Sequence, residues 1–169
     1  PVLYYDTLDE EARAYLDRQR PFLLEALTSA SGLHAEVRAE GIALVDLDGD
    51  CTDSGLPEEG TEGHLTLLVA TWLADLLRKG EAAGLTVETV RQKSARLIRQ
   101  HRHHWKKEVE VRGAEIALAE LVLDRLAGLA LIVRSGDRLR PLPALGRFAL
   151  RESPGLAPLD ESVVPPLFA

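Results

Sequence analysis

The sequence predicts an α+β protein, mostly helical, in which a winged-helix domain follows the helix and β-hairpin of a second, partial winged helix. Three observations support this fold class. Apolar side chains recur every three or four positions in three successive segments between residues 61 and 127. Two short segments, 130–134 and 138–142, then flank Ser135-Gly136-Asp137, a typical hairpin turn. Residues 9–47 repeat the last part of that order, a helix followed by a hairpin.

The first unit, residues 1–50, begins with a predicted helix over 9–30. Its apolar side chains share one face, and acidic residues occupy its first turn, where the helix dipole favours them. We expect Pro21 to kink or split this helix near Arg20, because proline removes a backbone donor and crowds the preceding turn. Gly32 is expected to end it.

A hairpin and a linker are predicted to follow. Residues 33–38 alternate apolar and polar side chains, and with residues 42–47 they flank a turn at Glu40-Gly41. The next stretch is rich in Asp, Gly, Pro and Glu, which indicates a loop. We therefore predict a linker over 51–60, and with it a domain boundary.

The second unit, residues 61–150, carries the predicted winged helix. We expect Thr61 to be the N-cap of a first helix that ends at Lys79-Gly80, and Thr86 to cap a second helix that continues to residue 106. A third helix is predicted over 114–127, ending at a glycine.

The end of this unit is predicted to be a hairpin and a short helix. The hairpin strands are expected over 130–134 and 138–142, and Pro143 suits the first turn of a helix that ends near Leu150. Three helices followed by a hairpin is the order of a winged helix, a variant of the helix-turn-helix class. Residues 151–169 hold four prolines and predict an extended tail.

Composition limits the classes of protein that remain. No apolar run is long enough to span a bilayer, and the single cysteine, Cys51, cannot form an internal disulfide. We therefore expect a cytoplasmic protein without a membrane partner. The chain contains no methionine and begins at Pro1, so we expect further sequence upstream.

Charge is distributed unevenly along the chain. The net charge of −7 combines an acidic first unit with an excess of basic residues between 61 and 112. At 100° per residue, Arg91, Arg99, Arg102 and Lys106 fall within about an 80° arc. We predict DNA contacts at residues of this helix face and of the hairpin: Arg91, Arg96, Arg99, Arg102, Lys106, Arg134, Arg138 and Arg140. An ordinary solvated helix face explains the same charges about equally well.

The third helix argues against recognition of a DNA sequence. In a DNA-reading winged helix this helix enters the major groove, but here it offers Glu115, Glu120 and Asp124 against Arg125 alone. Carboxylates are repelled by phosphates, and the helix has no Asn, Gln or Lys to read base edges. Any DNA contact is therefore expected to be non-specific.

Other polar clusters predict no catalytic or metal site. The histidines His101, His103 and His104 lack metal-ligand spacing, so we interpret them as structural or solvated. The acidic residues 46, 48, 50 and 53 depart from the calcium-loop pattern and indicate a polar turn. The Glu58, Glu59, Glu62 and His64 cluster has no accompanying nucleophile. We expect no cofactor and no enzymatic activity.

Four stretches resemble a known bacterial family: Val2-Leu-Tyr-Tyr-Asp6, Glu11-Ala-Arg-Ala-Tyr-Leu-Asp-Arg-Gln-Arg20, Arg38-Ala-Glu-Gly-Ile-Ala-Leu-Val-Asp46 and Pro57-Glu-Glu-Gly-Thr-Glu-Gly-His64. The family resembles the MukE-like subunits, or KITE proteins (kleisin-interacting tandem winged-helix elements), of Wadjet-type SMC anti-plasmid systems. The resemblance covers nearly the whole chain, as the C-terminal half of a family member. It implies a non-enzymatic subunit that binds kleisin-like and SMC-like subunits, forms a homodimer and contacts DNA. It assigns no functional residue.

Three hypotheses remain open from the sequence. The first is the subunit of an SMC-like plasmid-defence complex that the resemblance implies. The second is a winged-helix transcription regulator, which should hold one DNA sequence at physiological salt. The third is a metal- or carboxylate-dependent nuclease subunit, which bound metal or magnesium-dependent cleavage would reveal.

Overall fold

A computed structural model of the chain describes residues 1–51, 55–101 and 114–149. Their helices and strands are β1 (Val2–Tyr4), α1 (Glu10–Ser31), β2 (His34–Val37), β3 (Gly41–Val45), α2 (Gly60–Lys79), α3 (Val87–His101), α4 (Ala114–Gly128), β4 (Ile132–Ser135) and β5 (Arg138–Pro141). Short 3-10 helices follow β1 (Tyr5–Thr7) and β5 (Pro143–Phe148). The prediction of a mostly helical α+β protein with small antiparallel sheets is confirmed.

Helix α1 begins and ends where the sequence predicts. The Asp9 carboxylate accepts a hydrogen bond from the Ala12 amide at 2.8 Å, and Gly32 ends the helix with a left-handed backbone (φ 71°). The expected split at Pro21 is wrong, because α1 runs unbroken through that residue. Proline removes one backbone donor, and the hydrogen bonds of the turns on either side are enough to continue the helix.

A third strand joins the predicted hairpin. Strand β1, which the sequence analysis did not identify, pairs antiparallel with β3, so the sheet order is β1-β3-β2. Gly41 lies opposite Tyr4 in this pairing. A Cβ atom on Gly41 would lie 2.2 Å from the Leu3 carbonyl oxygen, so the close approach of β1 requires glycine there.

The helices of the second unit match their predicted order. Helix α2 begins at Gly60, with Glu59 as an N-cap that makes no side-chain cap bond, so the expected capping by Thr61 is wrong. The helix ends at Gly80 as predicted (φ 72°). Thr86 does cap α3, because its hydroxyl accepts a hydrogen bond from the Thr89 amide at 3.1 Å. The predicted continuation over 102–106 lies outside the described residues.

The hairpin β4–β5 gains a third partner from the chain before α3. The Leu139 amide donates to the Leu85 carbonyl, and the Val87 amide donates to the Asp137 carbonyl, each at 2.9 Å. Thr86 and Arg138 form an isolated antiparallel bridge between these bonds. The segment between α2 and α3 thus lies along β5, on the side away from β4.

One large apolar core joins the second unit to the first strand. It contains the buried faces of α2, α3 and α4, the inner residues of the hairpin, and Tyr4 of β1. A much smaller core under α1 contains Tyr5, Leu16 and Ile42. Leu16 is the one buried residue of α1, so most of that helix packs loosely.

Contacts cross the predicted boundary at 51–60. The Glu58 carboxylate forms an ion pair with Arg125 of α4, and Leu56 packs against the large core. Arg147 reaches Glu36 of β2 at 3.3 Å. The boundaries of the two units stay a prediction. The described part of the predicted linker lies against α4 through Glu58. The predicted tail over 151–169 lies outside the described residues.

Candidate nucleic-acid interface

Helix α3 presents two predicted DNA contacts to solvent. Its buried side faces the core with Val87, Val90, Ser94, Leu97 and Ile98. Arg96 and Arg99 lie on the exposed side, three residues apart and therefore adjacent on the helix surface. The core fixes the backbone of the helix, so Arg96 and Arg99 extend from defined positions into solvent. Arg102 and Lys106 lie outside the described residues.

Arg91 of the same helix is already occupied by a carboxylate. Its Nε and Nη2 atoms lie 2.9 and 2.8 Å from Oε1 of Glu120 on α4. Glu88, one turn earlier on α3, lies 3.7 Å from Nη1. The hydrogen bond to Glu120 raises the pKa of Arg91 above its usual value, so this cation is bound to the protein's own anion.

Arg134 of β4 binds the other oxygen of the same carboxylate. Its Nη2 atom lies 3.0 Å from Oε2 of Glu120, and its Nη1 atom lies 2.9 Å from Oδ1 of Asp124. The Arg91 hydrogen bond and, after it, the Arg134 hydrogen bond lower the pKa of Glu120. We call these four residues, Arg91, Glu120, Asp124 and Arg134, the Glu120 cluster. It joins α3, α4 and β4.

Strand β5 carries the remaining predicted contacts on its outer face. Arg138 and Arg140 are exposed and alternate with the buried Leu139 and Pro141. Arg134 pairs with Leu139 across the hairpin, so its side chain projects to the opposite face from Arg138 and Arg140. Arg138 and Arg140 therefore lie on one face of the hairpin, and Arg134 lies on the other face, where carboxylates of α4 bind it.

The predicted contacts thus fall into two groups. Within 1–51, 55–101 and 114–149, Arg96, Arg99, Arg138 and Arg140 form no ion pair. Arg91 and Arg134 form ion pairs with α4. Sequence analysis placed all six together, because charge spacing along a helix or strand does not reveal an opposite charge on another element. The one local sign of such an opposite charge was the pair of carboxylates at Glu120 and Asp124, whose i, i+4 spacing places them on the same side of α4.

The polar side of α4 is engaged by arginines. Ala119, Val122, Leu123 and Leu126 are fully buried on its other side. Of its three carboxylates, Glu120 and Asp124 bind the arginines described above, and Glu115 is exposed. Arg125, the basic residue of this helix, pairs with Glu58. The described part of α4 therefore presents no unpaired basic side chain to a polyanion.

The histidines and the acidic loop occupy separate places. The His64 and His101 rings meet edge to face, with centroids 5.4 Å apart, and His103 and His104 lie outside the described residues. The Asp46 carboxylate accepts hydrogen bonds from the amides of Cys51 and Gly49 at 2.7 and 2.9 Å. The Cys51 bond is the largest cause that lowers the pKa of Asp46. Residues 46–51 therefore form a hydrogen-bonded turn, and Asp53 lies outside the described residues.

Neither a metal site nor a membrane-spanning helix has a candidate in the part of the chain that the structure describes. No three His, Cys, Asp or Glu side chains come together there in a group able to hold a metal ion. None of the helices described combines the length and the apolar character needed to cross a membrane.

The structure is that of a mostly helical α+β protein in which Arg96, Arg99, Arg138 and Arg140 are exposed. Residues 1–151 match the model of the family described as "Protein of unknown function (DUF2398)". The chain therefore belongs to that family. No curated protein and no solved structure matches the chain.

Proposed function

We propose that the chain is a non-enzymatic, winged-helix (KITE-like) subunit of an SMC-like bacterial plasmid-defence complex, which binds a kleisin-type partner and contacts DNA non-specifically. The observation that carries the proposal is the polar side of α4. Its Glu120 and Asp124 carboxylates bind arginines of the same protein. The predicted contacts that form no ion pair within the described residues, Arg96, Arg99, Arg138 and Arg140, lie on α3 and β5. Phosphate contact through those arginines gives affinity without reading a sequence.

The second unit supports the winged-helix assignment. Three helices precede the hairpin, and the segment between the first two helices bonds to β5 through Leu85 and Val87. A short strand at this position, added to the hairpin, is typical of winged helices. The third helix packs on both others through its buried face, as a helix-turn-helix core requires.

The first unit supports a role in protein binding. Helix α1 exposes three large apolar side chains, Tyr15, Phe22 and Leu27. Tyr15 and Phe22 are seven residues apart and therefore lie on the same side of the helix, and exposed apolar patches mark surfaces that other proteins cover. The resemblance to MukE-like subunits implies a tandem of two winged helices, and α1 with β2–β3 fits the end of the first.

Association is the direct test of this proposal. The native protein should be tagged and recovered together with the products of its neighbouring genes. We expect an SMC-like ATPase and a kleisin-like subunit to co-purify with it in salt high enough to weaken purely electrostatic contacts. Absence of both partners would contradict the proposal.

DNA contact is tested separately with matched variants. R138Q/R140Q removes two unpaired arginines of β5, whereas R18Q/R20Q removes two arginines of α1 and changes the net charge equally. Of the two variants, we expect only R138Q/R140Q to weaken DNA binding. The factor should be similar for duplexes of different sequence. A single preferred duplex that resists competitor DNA would instead support the transcription regulator.

A further inference from the structure

We propose that the Glu120 cluster is an autoinhibitory contact, in which Glu120 and Asp124 withhold Arg91 and Arg134 from nucleic-acid phosphates. The inference rests on the proposed DNA contact and adds which arginines make it. In the protein as it stands, phosphates are bound by the unpaired arginines of α3 and β5. Removal of the two carboxylates makes two further cations available.

The geometry of the cluster shows that the donors needed for phosphate are in use. Arg134 directs Nη1 and Nη2 at two different carboxylates, at 2.9 and 3.0 Å. Arg91 directs Nε and Nη2 at one oxygen of Glu120. Charge-assisted hydrogen bonds of this length are the same bonds that arginine forms with phosphate. A phosphate must therefore replace a carboxylate before either arginine contacts it with these donors.

The position of the cluster leaves the arginines within reach of a polyanion. The side chains of Arg91, Glu120 and Arg134 are 40%, 32% and 28% exposed, and that of Asp124 is 74% exposed. Ion pairs at such positions are individually weak and are screened by salt. Their effect on phosphate binding is electrostatic, because each carboxylate neutralises an arginine and repels an approaching phosphate.

Three elements hold the carboxylates in place. The fully buried Val122 and Leu123 anchor α4 between the two acidic positions. Val90 of α3 is fully buried beside Arg91, and the buried Leu139 lies across the hairpin from Arg134. The packing of α3, α4 and the hairpin thus positions the charges, so neutral substitutions of the two carboxylates should leave the fold intact.

The test compares two pairs of neutral substitutions. E120Q/D124N removes the carboxylates of the cluster. D17N/D75N removes two carboxylates that pair with Arg13, Arg78 and Lys79 on other helices, so net charge changes equally. Binding to a duplex of unrelated sequence is measured by fluorescence anisotropy over a salt series. Circular dichroism confirms that each variant is folded.

We expect E120Q/D124N to bind more tightly at low salt, by roughly tenfold, and to steepen the slope of log K against log salt by about 2, one unit for each released cation. D17N/D75N should leave that slope unchanged. Equal slopes for the two variants would overturn the proposal while leaving DNA contact itself intact. Failure of every variant and of the unmodified protein to bind would overturn the proposed DNA contact as well.

A second pair of variants keeps both carboxylates. R91Q/R134Q should leave the slope of the unmodified protein nearly unchanged, because those cations are withheld. R138Q/R140Q should flatten it by about 2, because those cations are free. An equal flattening by both variants would show that Arg91 and Arg134 already contact phosphate, and would overturn the autoinhibitory contact.

Discussion

The Tyr4 hydroxyl donates a hydrogen bond of 2.7 Å to the carbonyl oxygen of Ala130. Tyr4 belongs to the first strand of the chain, and Ala130 lies in the turn between α4 and β4, where it adopts a left-handed backbone (φ 53°). Burial raises the pKa of the Tyr4 hydroxyl above 10.0. The bond therefore connects the first strand to the turn that precedes the second hairpin.

Replacement of this hydroxyl tests its contribution. Tyr4→Phe removes the donor and leaves the Ala130 carbonyl without its partner, so we expect a loss of about 1–2 kcal/mol in the free energy of unfolding. Urea denaturation followed by circular dichroism gives the value. Tyr15→Phe is the control, because the Tyr15 side chain is 53% exposed on α1 and its hydroxyl can bond to water. Equal effects of the two substitutions would show that the bond adds nothing.

Gly63 tests a close approach of two backbones. A Cβ atom at this position would lie 2.1 Å from the Glu58 carbonyl oxygen. We expect Gly63→Ala to lower the free energy of unfolding by about 1–3 kcal/mol, because the chain over 55–59 must move away from α2. Gly128→Ala at the end of α4 is the control, since nothing lies within 4 Å of its Cβ position. An unchanged free energy of unfolding for Gly63→Ala would show that the chain over 55–59 moves away from α2 without loss of stability.

Ser94 buries a hydroxyl that has no hydrogen-bond partner among the described residues. Its Oγ atom forms no hydrogen bond in the described structure, and the residue is fully buried in α3. We expect Ser94→Ala to raise the free energy of unfolding by about 1 kcal/mol, because an unsatisfied buried hydroxyl is costly and alanine favours the helix.

Thr66→Val is the control for Ser94→Ala, because it removes a buried hydroxyl that does have a hydrogen-bond partner. The buried Thr66 hydroxyl donates to the Glu62 carbonyl at 2.7 Å, so this substitution should not increase stability. Thermal unfolding of both variants under the same conditions makes the comparison. A fall in stability for Ser94→Ala would reveal a partner for its hydroxyl.

Acid should remove the stabilisation that the Glu120 cluster contributes. The arginines lower the pKa of Glu120 below its ordinary value of 4.5, so this contribution is complete above that value and disappears as pH falls through the lowered pKa. We expect the difference in unfolding free energy between the unmodified protein and E120Q to be constant from pH 7 to about 5 and to shrink below it. Urea denaturation at several pH values measures it. E115Q, at an exposed site on the same helix, is the control. A difference that grows on acidification would contradict the assignment.

The sequence predicts the local elements well because their signals are local. Gly32, Gly80 and the Thr86 cap are each defined by neighbours within a few residues. Strand β1 escaped prediction because three residues are too few for a periodic pattern. The effect of Pro21 was overestimated because one lost backbone bond is small beside the rest of a 22-residue helix.

The candidate interface was predictable only in part, for a similar reason. The basic residues are visible in the sequence, but their partners are not, because Glu120 and Arg91 are 29 residues apart and meet through helix packing. Two glycines also have a role that only the packing of the chain reveals. Gly41 and Gly63 both lie where a Cβ atom would collide with a backbone oxygen.

The pairing of residue 4 with residue 130 also orders events during synthesis on the ribosome. Strand β1 precedes its partner β3 along the chain, so the small sheet can form as soon as β3 has been made. Tyr4 then has no place to bury its ring until α4 and the turn after it have followed. Until then the nascent chain exposes the ring of Tyr4, and burial of that ring waits for the turn between α4 and β4.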